Sequence, residues 1–109
     1  MAGEKKPGRK TERKEETLVR ERDETKRPRR HKVLMHNDDF TPMEFVTHVL
    51  EEVFHRTPAE ATRIMLLVHR TGLGIAGVYS HEVAESKAMT TIRLARDSGY
   101  PLLVTTEPE

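Results

Sequence analysis

Apolar positions come in short blocks whose spacing changes along the chain. Residues 1 to about 30 hold almost no apolar side chains, Leu18 and Val19 standing out. Lys32-Val33-Leu34-Met35-His36 is a short apolar run of the kind that forms a buried strand. Asn37-Asp38-Asp39 breaks it with turn-forming residues. Thr41-Pro42-Met43-Glu44 then reads as a helix start: Thr41 as cap, Pro42 in the first helical position, Glu44 closing a capping box. Phe45, Val46, Val49, Leu50, Val53 and Phe54 follow on one face at helical spacing. Thr47, His48, Glu51, Glu52 and His55 fall on the other.

Thr57-Pro58-Ala59-Glu60 repeats the start signal, so a second helix begins at once. Its stripe is Ala61, Ile64, Met65 and Val68, with His69 at the edge, and Gly72 stops it. Leu73 to Tyr79 reads as a strand whose glycines, Gly74 and Gly77, predict a bulge or a close backbone approach. Ser80 caps a third helix, with Glu82 in its first turn. Ala84, Ala88, Thr91, Ile92 and Ala95 give that helix a narrow stripe of mostly small residues, which lets it sit close to a sheet. Gly99 ends it, and Leu102 to Thr106 is the last strand.

The order β-α-α-β-α-β predicts an α+β two-layer sandwich. A three-stranded, mostly antiparallel sheet should pack on three helices. The expected division is a flexible basic N-terminal extension over residues 1–30 and a core domain over residues 31–109. A transient helix around Thr11–Asp23 is also compatible with the alternating Glu and Arg there.

Charge sharpens this division. Residues 1–30 hold 12 Lys and Arg against 7 Asp and Glu, while the rest hold 7 against 11. A basic head precedes a mildly acidic body. Lys26-Arg27-Pro28-Arg29-Arg30 raises nucleic-acid contact as an alternative. The arm has no aromatic residue to stack on a base, so a solvated, disordered arm is the favoured reading. The chain lacks cysteine, which excludes a disulfide framework, a Cys-ligated zinc site and thiol catalysis. No apolar stretch spans a membrane, and the first residues lack the apolar run of a secretory signal. The expectation is a cytoplasmic, monomeric protein.

The chemistry concentrates after the first strand. An amide and two carboxylates on one turn supply several acceptors for a cation. One reading is a pocket for a free peptide amine, which is charged at neutral pH with a reference pKa of about 8. Asn37 offers a carbonyl, Asp38 or Asp39 a carboxylate, and neutral His69 a ring nitrogen. The adjoining side chain then needs an apolar hole, for which Met35, Met43, Val46, Met65, Val68 and Leu102 are candidates. The plainer reading is a turn beside ordinary core methionines, and the residues alone favour it. A metalloenzyme is weakly supported. His48, Glu52 and His55 share a helix face, but it is the polar one, and no His-Glu-x-x-His pattern occurs. No nucleophile elbow or phosphate loop is present, so no catalytic residue and no cofactor are expected. Charged Glu82 and Lys87 on the third helix leave a protein-docking face open.

Lys32-Val33-Leu34, His36 to Val46, Met65…Val68-His69, Gly77-Val78-Tyr79, Glu82 to Lys87 and Pro101-Leu102-Leu103 together resemble the ClpS adaptor family, over about residues 31 to 108. The Asn-Asp-Asp-aromatic-Thr-Pro-Met-Glu-Phe block is the specific part. The resemblance implies an adaptor of the bacterial N-end rule and not an enzyme. It would bind N-degron proteins beginning with Leu, Phe, Tyr or Trp and hand them to the N-terminal domain of the ClpA unfoldase of the ClpAP protease. By the same resemblance, Asn37, Asp38, Asp39 and His69 would hold the substrate α-amino group. Met43 would be the gatekeeper against β-branched first residues. Met35, His36, Thr41, Val46, Met65, Val68 and Leu102 would complete the pocket wall. Glu82 and Lys87 would dock the unfoldase, and the arm would engage it during delivery. Phe40 stands where Tyr is frequent, His36 where an apolar residue is frequent, and Ala76 where Cys is frequent. The alternative from another class is a module like the C-terminal domain of the ribosomal stalk, binding proteins through a helix face.

Overall fold

The computed structural model describes residues 29–109. The possible helix over Thr11–Asp23 lies outside the described residues. Six elements follow one another: β1 (His31–His36), α1 (Met43–Glu52), α2 (Pro58–Thr71), β2 (Leu73–Tyr79), α3 (His81–Asp97) and β3 (Leu103–Pro108). The sheet order is β2-β1-β3, with both pairings antiparallel. This is the expected α+β arrangement, with the last strand beginning one residue later and running to Pro108.

β1 is the central strand, and its Val33-Leu34-Met35 run is buried. Its side chains alternate across the sheet, so Val33 and Met35 face the helices and are completely buried. Val49 and Leu50 of α1 and Ala61 of α2 are buried completely as well, and Val68 is nearly so. The small stripe of α3 does what its residue sizes predict. Ala84, Ala88, Thr91 and Ala95 are all buried, and α3 packs against all three strands.

Both glycine signals in β2 have a structural cause. Pairing runs Val33 with Gly77, then Leu34 with Ile75, so Ala76 is the extra residue of a bulge. The carbonyl of Ala76 accepts from Nε of Arg56 at 2.9 Å, which satisfies a group near the sheet edge. Gly74 marks the close approach: a Cβ there would sit 2.5 Å from Cγ2 of Val68 on α2.

The two helix starts differ. At α2 the capping box forms as read, with the Glu60 N–H donating to Thr57 Oγ1 at 3.2 Å and the Thr57 N–H to Glu60 Oε1 at 3.1 Å. At α1 it does not form. Pro42 occupies the cap position without a side-chain cap, and its carbonyl accepts from Phe45 and Val46. The Thr41 hydroxyl donates instead to Asp38, a partner that a reading of the helix start alone does not consider. α1 is also shorter than its apolar stripe. It ends at Glu52, and His55 adopts a left-handed φ of 57°. His55 therefore leaves the helix face that it was expected to share with His48 and Glu52. Phe54 still reaches the core from the turn.

Replacing Gly74 by Ala should lower the unfolding free energy by about 1–3 kcal/mol, the usual cost of overpacking. Urea denaturation checks this. A cost near zero would mean that α2 and β2 are not in close contact there.

Candidate functional site

Antiparallel pairing sets His36 of β1 opposite Leu73 of β2. The Asn37 N–H then donates to the Gly72 carbonyl at 3.0 Å, extending the pairing by one step. Gly72, at φ 90°, is the C-cap of α2. The end of β1 and the end of α2 are thereby fastened together. The turn after β1 comes to lie beside the last turns of α2.

A cavity of about 320 Å³ opens between them. Asn37, Asp38, Asp39, Thr41 and Pro42 line it from the turn, Met43 and Val46 from α1, and Met65, Val68 and His69 from α2. The wall is divided by chemistry. Val46 and Val68 are buried and Met65 is half-buried, which gives an apolar floor. Asn37, Asp39 and His69 are exposed and carry polar atoms. Met43, 41% exposed, stands on the rim. The volume lies at the small end of ligand cavities, suited to one side chain and its backbone.

The two neighbouring carboxylates are in different situations. Asp38 Oδ1 accepts from the N–H groups of Phe40 at 2.8 Å and Thr41 at 2.7 Å. Asp38 Oδ2 accepts from the Thr41 hydroxyl at 2.8 Å. Burial pushes the Asp38 carboxyl up, but the three hydrogen bonds together outweigh it and hold the group below its ordinary 3.8. Asp38 is therefore an anionic brace of the turn. Asp39, next to it, makes no hydrogen bond or ion pair with another side chain or backbone group among the described residues. Its carboxylate is left at the cavity.

Of the candidate site residues, the structure brings together Asn37, Asp38, Asp39, Thr41, Met43, Val46, Met65, Val68 and His69. Three others do not line it. Met35 is sealed in the core at 0% exposure, and Leu102 is buried there at 6%. His36 follows Met35 on the strand and so points to the opposite face, where its Nε2 lies 2.8 Å from the Thr105 hydroxyl. Pro42 lines the cavity and was not foreseen; the signal was its place between two residues that were. On α3, Glu82 is exposed. Lys87 is half-buried, donating from Nζ to the Val53 carbonyl at 2.7 Å, with its charge 5.3 Å from the Tyr79 ring centre. Among the described residues no cluster of three or more His, Asp or Glu is placed to hold a metal ion. No helix among them is long and apolar enough to cross a membrane.

Residues 26–105 match the family described as "ATP-dependent Clp protease adaptor protein ClpS". The chain belongs to the ClpS family. A ClpS of Nitratidesulfovibrio vulgaris (strain Miyazaki F) is 58% identical over 85 residues, covering 78% of this chain and 85% of that protein. A ClpS of Desulfatibacillum aliphaticivorans is 52% identical over 94 residues, covering 86% and 90%. Among solved structures, Agrobacterium tumefaciens ClpS2 bound to L-phenylalaninamide superposes with a TM-score of 0.74 at 43% identity. That match covers 76% of this chain and all of the other. The chain is thus a ClpS adaptor of the Clp protease system.

The lowered Asp38 pKa carries a pH signature. The folded carboxyl titrates below the unfolded one, whose pKa is about 3.9. Its contribution to stability is therefore complete above that value and is lost as pH falls through the folded pKa. Asp38→Ala should cost about 1–2 kcal/mol at neutral pH. The gap from the parent chain, followed by urea unfolding, should close below about pH 4. A gap unchanged down to about pH 2 contradicts the brace.

Proposed function

We propose that this ClpS chain is the adaptor for N-degron proteins, taking a first residue of Leu, Phe, Tyr or Trp into the cavity and delivering the protein to the ClpA unfoldase of ClpAP. The observation that carries this reading is the division of the cavity wall, with exposed polar side chains above an apolar floor of buried ones. A charged α-amino group leaving water needs a partner for each N–H. Asn37 accepts through its side-chain carbonyl, Asp39 through its carboxylate, and His69 through an unprotonated ring nitrogen. Asp38 holds the turn that aims them. The side chain of the first residue then displaces water from Val46, Met65 and Val68. The relative bound to L-phenylalaninamide is in keeping with this. That ligand joins a free amine to a benzyl side chain, and its amide stands in for the next peptide bond.

Met43 at the rim serves as the gate. A side chain branched at Cβ is widest where it leaves the backbone and meets the Met43 thioether. A γ-branched or flat side chain is slimmer there and passes. Delivery runs through α3, where Glu82 is the exposed contact and Lys87 fixes the helix to the end of α1. This reading sets the protein in the cytoplasm with its unfoldase.

The test is fluorescence anisotropy with peptides that differ only at the first residue or in its amine. Acetylating a Leu-starting peptide should weaken binding by about 30-fold or more, since two acceptors left unpaired cost about 1–3 kcal/mol each. Equal affinity for the free and acetylated peptides overturns the amine pocket. In the same assay Met43→Ala should admit Ile and Val as first residues. Unchanged rejection removes Met43 as the gate while leaving the pocket in place.

A further inference from the structure

The cavity accounts for one residue of a bound chain. Just beyond its rim lies a side chain that neither the fold nor the cavity uses. Phe40 is 77% exposed, more than any other large apolar side chain among the described residues. A phenyl ring in water is a standing cost, because most of its apolar area gains nothing from folding. Single exposed apolar residues are common on proteins, but this one differs in two respects.

The first is its support. Asp38 accepts from the N–H of Phe40 itself at 2.8 Å and from that of Thr41 at 2.7 Å, and the Thr41 hydroxyl locks the same carboxylate. The backbone that carries the ring is pinned by the brace described above, so the ring is presented from a fixed point. The second is its place. Both chain neighbours, Asp39 and Thr41, line the cavity, and Cα atoms one residue apart are about 3.8 Å apart. The backbone of Phe40 thus runs beside the cavity, and its exposed ring does not line the hollow. A chain whose first residue is inserted there leaves past one of the three walls, and the turn that carries Phe40 is one of them.

We propose that Phe40 is a second specificity residue, a platform on which the side chain of the substrate's second residue packs, favouring aromatic and large aliphatic residues over glycine at that position. This rests on the reading of the cavity as the seat of a first residue. The exposed area then has an occupant. The ring is half of an apolar contact that forms only when substrate is bound, on a support that needs no rearrangement.

The experiment uses the full chain and a set of peptides beginning with Leu, with Gly, Ala, Leu or Phe second and the remainder constant, read by fluorescence anisotropy. The parent chain should bind Leu-Phe about three- to tenfold more tightly than Leu-Gly, the range that aromatic pairs contribute. Phe40→Ala should bring the Leu-Phe affinity down to that of Leu-Gly while leaving Leu-Gly within about twofold, because the amine acceptors are untouched. Phe40→Tyr should restore the preference. Phe40 is exposed, so these variants should fold as the parent does, which circular dichroism verifies. A parent chain without preference between Phe and Gly overturns the proposal, as does a preference that survives in Phe40→Ala. If none of the Leu peptides binds, the cavity reading falls and takes this proposal with it. Binding of Leu-Gly without any effect of Phe40 sinks the platform alone.

Discussion

The site depends on the register between β1 and β2. His36 opposite Leu73, continued by the hydrogen bond from Asn37 to Gly72, fastens the end of the central strand to the end of α2. Asn37 and His69, distant in sequence, thereby line one hollow. A slip of one residue would turn every β1 side chain over. Val33 and Met35 would then leave the face that packs on the helices, and the turn would meet a different part of α2. The register is secured by burial of those two residues and by the close fit of Gly74 under Val68. Val68 belongs both to the core and to the floor of the cavity, so the two share a side chain.

The turn makes two uses of one motif. Adjacent carboxylates are alike in sequence, yet only Asp38 closes hydrogen bonds back on its own loop. A carboxylate so satisfied is a poor partner for anything else. Asp39 keeps its charge at the cavity, and Phe40 is carried outward by the same geometry. One anion ties together the loop that carries both neighbours.

Much of this was legible in the chain. The six elements, the αL stop at Gly72, the bulge beside Gly77 and the small-residue stripe of α3 follow from spacing and from residue size. The misses have local causes. Thr41 was read as a cap because a hydroxyl before Pro is one; nothing in the one-dimensional pattern shows that Asp38 takes it first. His55 looked helical because the apolar period carries through Phe54, but the chain turns left-handed there. Met35 and His36 were assigned to the pocket wall along with the turn that follows them. Strand alternation instead sends one into the core and the other to the far face. Leu102 is apolar and near the fold's centre, and the sequence alone does not distinguish a core residue from a cavity wall. The different duties of Asp38 and Asp39 needed coordinates, because they depend on which carboxylate the loop's own N–H groups reach.

The turn after β1 and the last turns of α2 wall one cavity jointly. Titrating the ¹⁵N-labelled chain with a Leu-starting peptide and following backbone amide shifts addresses that directly. The amides of Asn37, Asp39, Met43, Met65 and His69 should move together along a single binding curve, while those of Met89, Arg93 and Arg96 on α3 stay in place. Binding that shifts the α3 amides and leaves both walls of the cavity unmoved would contradict it.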